Sequence, residues 1–210
     1  MIATMAGVAA AEDAPKEKVI FEENFSDAPG NGWSWLRESK GDWKIDKERK
    51  ELLLRSMWAT GGLNNMLLRT APDGKKVAIE VHIQHETPVD FEFSGLIWYF
   101  DDKNSMGLVQ ERWDDGTWHV FMGRRKADSK SQVLKHAIYD KPEIDLRMVV
   151  TGSKAKGFYR APGTSNWQSV GEMEMPSSGA AKVGLRTGSA ERDKPSWARF
   201  SKFRILQLSD

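Results

Sequence analysis

The chain has 210 residues, a formal net charge of +1, no cysteine and nine tryptophans, and 40% of its residues are hydrophobic. This length and apolar content suffice for one large domain with a substantial core, and all-β sandwiches often reach this size. The near-neutral charge argues against general nucleic-acid binding, which needs a basic surface, and the lack of cysteine excludes disulfides and thiolate metal sites.

Residues 1–11 are small and apolar and end in three alanines, directly before Glu12 and Asp13. This pattern resembles the end of a secretory signal peptide with an A-x-A cleavage site, although a basic start is lacking and the apolar run is short. The alternative is an N-terminal arm, either disordered or packed on the domain. We interpret residues 1–18 as a signal-peptide remnant and linker, and we predict an exported protein, periplasmic or extracellular, without an integral membrane segment.

From residue 19 onward, short extended segments alternate with polar turns. Residues 77–86 alternate most clearly, with four aliphatic side chains on one face and mainly polar ones on the other, as in a half-buried antiparallel strand. Helix is predicted to be a minor component, because no segment keeps an apolar period of 3.6 over three turns. We predict strands at residues 19–25, 33–37, 43–45, 51–57, 65–70, 77–86, 95–100, 106–113, 117–124, 132–139, 144–151, 157–160, 167–170, 181–186 and 197–208.

The most informative stretch is residues 93–113, which is typical of two strands around a turn. Residues 95–100 are mainly aromatic and aliphatic, residues 101–105 are polar turn formers, and an extended pattern then resumes. The Asp115-Gly116 pair that follows is a strong hairpin signal. Because both faces of the first hairpin carry apolar residues, we expect it at the centre of a sheet that packs against a second layer.

Many short strands separated by polar turns favour an all-β fold, and we predict a two-sheet antiparallel jelly-roll sandwich over residues 19–210. The Ser-Gly-Leu-Ile-Trp-Tyr strand at 94–99, the Asp-Asp-Lys-Asn turn at 101–104 and the Leu-x-x-Glu segment at 108–111 resemble the concanavalin A-like lectin/glucanase domain at the C-terminus of family-43 β-xylosidases and its stand-alone bacterial relatives. Further segments resemble the same domain: 21–25, 33–35, 43, 52–54, 183–186 and 198–203. The resemblance implies a concanavalin A-like sandwich with a carbohydrate-related role.

The tryptophans suggest a surface for sugars, whose rings stack on aromatic faces while charged and amide side chains bind the hydroxyls. Strand alternation does not tell which face of the central hairpin is concave, so some of these residues are expected in the core. Four tryptophans, at 33, 43, 167 and 197, are predicted in the core or at sheet edges. The predicted partner is a polysaccharide or oligosaccharide, and the candidate carbohydrate-binding residues are Trp58, His82, Trp98, Gln110, Arg112 and Trp118.

No catalytic residues are predicted. Glycoside hydrolysis usually needs two carboxyl groups facing one cleft, and the Glu-x-Asp-x-x-Glu pattern of laminarinase-type glucanases is absent. The acid pairs at 90/92 and 172/174 lack the third member and are expected to be solvated edge residues. The main hypothesis is therefore a non-catalytic carbohydrate-binding domain.

Two alternatives remain open. A glycan-active enzyme, either a hydrolase or a polysaccharide lyase, would need a clustered group such as Gln110, Arg112, His119 and His82. A protein-interaction sandwich would have no sugar site, and its tryptophans would all be buried.

No cofactor is predicted. The resemblance implies a structural Ca²⁺ held near the last strand by an aspartate pair, but Ser201 and Lys202 occupy those positions here, and lysine is a poor neighbour for Ca²⁺. Zinc is not expected, because His82 and His85 would point to opposite faces of one strand. A basic hairpin, residues 124–126 with Lys130, Lys135 and His136, fits either an anionic polysaccharide or a solvated surface.

Overall fold

The computed structural model describes residues 17–58, 63–127, 132–191 and 195–209, which form strands and turns without helix. No helix long and apolar enough to cross a membrane occurs in these ranges. Most of the predicted signal-peptide remnant, residues 1–16, lies outside them, and the first strand begins at Glu17, inside the predicted linker. The strands are β1 Glu17–Glu23, β2 Trp33–Leu36, β3 Trp43–Asp46, β4 Glu51–Arg55, β5 Met66–Thr70, β6 Lys76–Gln84, β7 Phe93–Asp101, β8 Asn104–Arg112, β9 Trp118–Arg125, β10 Gln132–Ile138, β11 Glu143–Thr151, β12 Lys154–Arg160, β13 Gln168–Glu174, β14 Lys182–Gly188 and β15 Trp197–Leu208.

The described strands form two antiparallel sheets. The eight-stranded sheet has the order β13-β12-β11-β6-β15-β4-β3, with β1 paired to β15, and the seven-stranded sheet has the order β10-β9-β8-β7-β14-β5-β2. Neighbouring strands such as β14 and β7 are far apart in sequence, so the strands of each sheet are connected by long crossovers as well as by hairpins. The predicted all-β sandwich is confirmed.

The core lies between the two sheets. The core side of the alternation predicted for residues 77–86 is confirmed, since Val77, Ile79, Val81 and Ile83 of β6 are at most 2% exposed and belong to this core. The strand is not half-buried, because Ala78 and Glu80 on its other face are also buried. The seven-stranded sheet contributes the facing layer, including Leu96 and Leu108, which are fully buried. Burial of each large aliphatic side chain stabilises the fold by about 1.5–3 kcal/mol.

The β7–β8 hairpin occupies the middle of the seven-stranded sheet, as predicted. Its second apolar face also has a partner, because Ile97 packs with Met66, Leu68 and Leu63 on the side turned away from the eight-stranded sheet. This small cluster covers only part of that side. The rest of that side, over β8 and β9, contains an open cleft.

Candidate functional site

The face of the seven-stranded sheet that points away from the core is called the outward face here. Leu96 and Trp98 of β7 belong to the core between the sheets, and side chains alternate along a strand. Phe93 on β7 and its cross-strand partner Glu111 on β8 therefore lie on the outward face. Cross-strand pairing places His119 of β9 beside Glu111 on that same face.

A cleft of ≈ 240 Å³, called the outer cleft below, lies on this face across β7, β8, β9 and β14. This volume is just below the usual range of small-ligand pockets, which begins at about 300 Å³, and suits a ligand the size of about one sugar ring. The described lining residues are Phe93, Ser105, Gly107, Val109, Glu111, Phe121, Gly123, Arg124, Arg125 and Arg186.

Glycines form the floor of the outer cleft. Gly107 on β8 is paired with Gly123 on β9, so neither strand places a side chain at this point. A Cβ atom built on Gly107 would come no closer than 3.6 Å to any neighbour, the nearest being the Nη1 atom of Arg186. The space above Gly107 is therefore open, and a larger residue there would fill the cleft rather than disturb the core.

Two phenylalanines form the walls. Phe93 and Phe121 are both half-buried and line the cleft from different strands. The Phe93 ring covers Gly188, where a Cβ would overlap the ring, and the guanidinium carbon of Arg186 lies 4.6 Å from the ring centroid. These contacts hold the Phe93 ring in place, so the cleft has a fixed aromatic wall.

The charged groups of the cleft are shifted by their partial burial. Burial raises the pKa of the Glu111 carboxyl to about 7, and the Trp113 indole and the positive charge of Arg186 offset only part of this effect. Burial also lowers the pKa of Arg186 to about 10, together with the nearby positive charge of Arg125 and against the attraction of Glu111. Arg186 thus stays charged at neutral pH, whereas Glu111 exchanges a proton near pH 7.

An aromatic stack borders Glu111. The Trp113 and His119 rings lie parallel, with centroids 3.7 Å apart and planes 9° apart, and His136 lies 5.7 Å from His119. The His119 Nε2 atom is 2.7 Å from the Thr117 hydroxyl, which donates to Asp115. Burial lowers the pKa of His119, so at neutral pH this side chain is uncharged and the stack is predominantly apolar.

This arrangement suits binding better than hydrolysis. Glu111 is the one carboxyl group among the described lining residues of the outer cleft, whereas glycosidases normally use two carboxyls on opposite sides of the scissile bond. The cleft instead combines aromatic walls with guanidinium and hydroxyl groups, which is the combination that recognises polar ligands with an apolar face.

The six residues predicted from the sequence to bind carbohydrate lie in separate regions. Trp98 and Trp118 are each 7% exposed, and both lie on the inward parity of the seven-stranded sheet. Gln110 shares that parity, is fully buried, and its side-chain amide donates to the Lys141 carbonyl. All three side chains therefore point towards the other sheet.

The other three predicted residues also lie away from the outer cleft. Arg112 pairs with Asp90 at the end of β8. His82 lies on the far face of the eight-stranded sheet, where its Nδ1 atom is 2.9 Å from Asp145. Trp58 is half-buried and forms an isolated bridge with Ser189. Carbohydrate binding by any of the six residues stays a prediction.

The tryptophans predicted to be structural behave mainly as expected. Trp33 and Trp43 are partly buried against the core, on the edge strands β2 and β3. Trp197 begins β15 and packs under Lys44 and Arg55. Trp167 precedes β13 and carries the Arg160 guanidinium 4.2 Å from its ring centroid.

Both acid pairs were predicted to be solvated edge residues, and Glu92 departs from this prediction. Glu172 is exposed and forms ion pairs with Lys154 and Lys156, as expected for a solvated edge residue. Glu92 was also expected to be solvated, but it is fully buried because His85 and Ser196 supply its hydrogen-bond partners.

The sequence interpretation missed most of the outer cleft. Glu111 and the basic pair at 124 and 125 were noticed, but Phe93, Phe121 and Arg186 were not connected with them. The signal that could have found the cleft is one glycine on each of three neighbouring strands: Gly95, Gly107 and Gly123 share the parity opposite to Trp98 and Leu108 of the core. A strand face with glycines and charges is a poor core face.

No metal centre is indicated. Among the residues that the structure describes, no group of three or more histidine, aspartate or glutamate side chains converges. Lys202, in the position where the resembling family has an aspartate, lies at a register shift in β15 with a positive φ of 53°.

Solved structures share this fold at low sequence identity. The family-43 glycoside hydrolase BlXynB from Bacillus licheniformis has a TM-score of 0.78 and 14% identity over 88% of this chain, and xylan β-1,4-xylosidase from Bacillus halodurans C-125 has a TM-score of 0.73 and 16% identity over 95%. The alignments cover 39% and 41% of those two chains, so this chain spans about two fifths of their length.

A shorter structure matches over nearly its full length. The CBM2 module of the evolved Dit protein of Lactobacillus casei BL23 phage J-1 has a TM-score of 0.61 and 9% identity, with 93% of this chain and 98% of that chain aligned. A search of curated proteins gives no match. The sequence profile of the β-xylosidase C-terminal concanavalin A-like domain, however, matches residues 22–205. The chain therefore belongs to the family of concanavalin A-like domains found at the C-terminus of β-xylosidases.

Proposed function

We propose that this chain is an exported, non-catalytic carbohydrate-binding domain that holds its glycan in the outer cleft. The observation that carries the proposal is the lining of that cleft: two aromatic walls, Phe93 and Phe121, above the glycine floor at Gly107, with ionic and hydroxyl groups at the rim. A sugar ring has the matching chemistry, because its C–H faces pack on aromatic rings and its hydroxyls bind polar groups.

The comparisons support this proposal only at the level of the fold. Family-43 enzymes contain the same domain, and a phage CBM2 module has the same architecture. Because one fold can host many functions, the support for binding comes from the cleft itself. Export depends on the small apolar segment at residues 1–11, with Glu12 proposed as the first residue of the mature chain.

Binding is tested on a glycan array and then by calorimetry, with the full chain and two variants. Gly107→Leu fills the outer cleft from its floor. Lys154→Gln changes an exposed side chain on the other sheet and serves as the matched control. We expect at least one plant or bacterial oligosaccharide to bind the parent and the control but not Gly107→Leu. Equal binding by a folded Gly107→Leu protein would place the ligand elsewhere, and silence across the array would favour a protein-interaction role.

A glycan-active enzyme is the second candidate, favoured by the raised pKa of Glu111 beside Arg186 and His119. A carboxyl group that titrates near neutral pH is suited to proton transfer. Incubation of each bound glycan with the parent and with Glu111→Gln tests this function, with new reducing ends or unsaturated sugars as the readout. Products that depend on Glu111 would replace the non-catalytic assignment, whereas unchanged glycans would support it.

Export is tested separately by fractionating cells that express the full chain. The expected result is a periplasmic or extracellular protein whose first residue is Glu12. A cytosolic chain that retains Met1 contradicts the export part of the proposal without affecting the binding part.

A further inference from the structure

We propose that the outer cleft accepts the terminal sugar residue of a glycan and excludes the internal residues of the chain. This inference rests on the proposed function and names the part of the glycan that the site recognises. The remaining sugars of the glycan extend into solvent above the sheet. The support comes from the shape of the cleft, which is set by backbone register and side-chain size.

The cleft is closed at both ends along the strands. Its floor is the cross-strand pair of Gly107 on β8 and Gly123 on β9, and outward positions recur at every second residue of a strand. The next outward positions carry side chains that line the cleft: Val109 and Phe121 at one end, Ser105 and Arg125 at the other. The floor without side chains is therefore only one residue pair long.

The cleft is also closed on the side of β7 and β14. Ile97 of β7 lies directly beside Gly107, is fully buried and packs with Met66 and Leu68. The Arg186 side chain of β14 reaches over the same side, with its Nη1 atom 3.6 Å from the Cβ position of Gly107. The guanidinium acts here as a wall. A glycan chain that crossed the strands at Gly107 would collide with this side.

The volume of the cleft agrees with a single ring. It is ≈ 240 Å³, whereas pockets for larger small-molecule ligands extend to about 1,000 Å³. A terminal sugar has one neighbour in the chain, and an internal sugar has two, on opposite sides of its ring. Because the cleft is closed on three sides, the second neighbour of an internal sugar would clash, and such clashes exclude a wrong ligand.

Phe121 is the specificity-determining residue of this arrangement. It is half-buried and lies at the Val109 end of the glycine floor, so its ring limits the length of the cleft. The same ring offers an aromatic face to the C–H groups of the sugar. Its removal should weaken binding and, separately, open one end of the cleft to a continuous chain.

The test is a length series measured by calorimetry with the full chain. The probes are linear oligosaccharides of xylan, arabinan and galactan with one, three and six sugars, and the corresponding linear polymers are competitors. For a series that binds, we expect the affinities for three and six sugars to agree within about threefold, since the additional sugars stay in solvent. At equal concentration of sugar residues, the polymer should compete about tenfold or more weakly than the hexasaccharide, because it has fewer ends.

Three variants locate the effect. Phe121→Ala should bind the hexasaccharide more weakly, but the polymer should then compete within about threefold of the hexasaccharide. Phe121→Leu shortens the wall more gently and serves if the alanine variant fails to fold. Phe158→Ala removes a half-buried aromatic ring from the outward face of the other sheet and is the matched control, with affinity and polymer ratio unchanged. Gly107→Leu should abolish binding at every length.

The outcomes are distinguishable. An affinity that rises about tenfold or more from three to six sugars overturns the terminal-sugar inference, and so does equal competition by polymer and hexasaccharide in the parent. In both cases the proposed function stands if Gly107→Leu abolishes binding. An unchanged polymer ratio in the folded Phe121 variant also overturns the inference. Binding that persists in Gly107→Leu, or no binding of any probe, overturns the inference and the proposed function together.

Discussion

The Oε2 atom of Glu92 lies 3.4 Å from the Nε2 atom of His85, and both side chains are fully buried. Three hydroxyl groups complete the cluster, with Ser196 2.8 Å, Ser94 3.1 Å and Ser56 3.3 Å from the His85 ring nitrogens. His85, Ser56 and Ser196 flank strands of the eight-stranded sheet, whereas Glu92 directly precedes β7 of the other sheet and Ser94 lies within it. The cluster therefore joins the two sheets at one end of the sandwich.

Replacing Glu92 should destabilise the fold. The change Glu92→Gln removes the charge that accepts from Ser196 and His85, and unsatisfied buried donors cost about 1–3 kcal/mol. We expect urea unfolding near neutral pH to show a loss in the free energy of unfolding of about 2 kcal/mol. The exposed Glu172→Gln variant is the matched control and should unfold like the parent. An equal urea midpoint for Glu92→Gln and the parent would contradict a stabilising role for the cluster.

The cluster also predicts sensitivity to acid. Burial acts to raise the pKa of Glu92, but hydrogen bonds from His85, Ser196 and Thr87 outweigh it and hold the pKa below the ordinary 4.5. The unfolded chain thus takes up this proton first, and the contribution of Glu92 is present above pH 4.5 and lost as the pH falls through the folded-state pKa. Unfolding followed as a function of pH should show less acid destabilisation in Glu92→Gln than in the parent. Parallel profiles would argue against this linkage.

Glu111 should have the opposite pH dependence. Its pKa is about 7 in the folded chain against an ordinary 4.5, so the folded state holds the proton more tightly and stability decreases as the pH rises from 4.5 to about 7. Above that range the buried charge costs about 2 kcal/mol, after allowance for its partial exposure. Glu111→Gln should therefore be more stable than the parent at mildly alkaline pH and similar to it below pH 4.5. A pH-independent difference between the two proteins would contradict this account.

Two glycines of the seven-stranded sheet should respond differently to alanine. A Cβ on Gly184 would overlap the Leu67 carbonyl oxygen, whereas a Cβ on Gly107 meets nothing closer than 3.6 Å. We expect Gly184→Ala to lower the free energy of unfolding by about 3 kcal/mol and Gly107→Ala to change it by less than about 1 kcal/mol. Thermal melts of both variants measure this contrast. A severe effect of Gly107→Ala would mean that the outer cleft is not open at its floor.

Trp98 should act on stability rather than directly on glycan affinity. It is 7% exposed and packs within the main core, so Trp98→Ala should lose about 3–5 kcal/mol. Trp98→Phe keeps most of the ring volume and should fold. The measurement is urea unfolding together with calorimetry on the bound glycan. Loss of binding in a stable Trp98→Phe protein would instead support the prediction that this residue contacts the sugar.

Much of the fold could be predicted from local pattern. The fifteen described strands lie at the segments expected from alternation and turn residues, and the alternation in β6 identified the side chains that enter the core. Boundaries shifted by a few residues where polar ends continue a ladder, as at Glu143 in β11 and Lys154 in β12. A polar residue at a strand end carries no hydrophobic signal, although its backbone pairs normally.

The outer cleft could not be predicted in the same way. Both parities of the β7–β8 hairpin are rich in apolar residues, because one packs on the other sheet and the second meets the small cluster around Ile97. Alternation therefore separated Trp98 from Phe93 without telling which of them faces the core. The tryptophans appeared to be better sugar platforms than Phe93, although their size also makes them suitable core residues.

The sequence by itself determined the class of the fold, the strands and the family, since these depend on short-range periodicity, turn chemistry and motifs within single hairpins. Only the tertiary structure decided which strand faces are inside and which residues share a site. Phe93 and Arg186 line one cleft because β7 and β14 pair across a long crossover, and that pairing is set by burial of both sheets against each other. Long-range packing, which no local pattern contains, therefore created the candidate site.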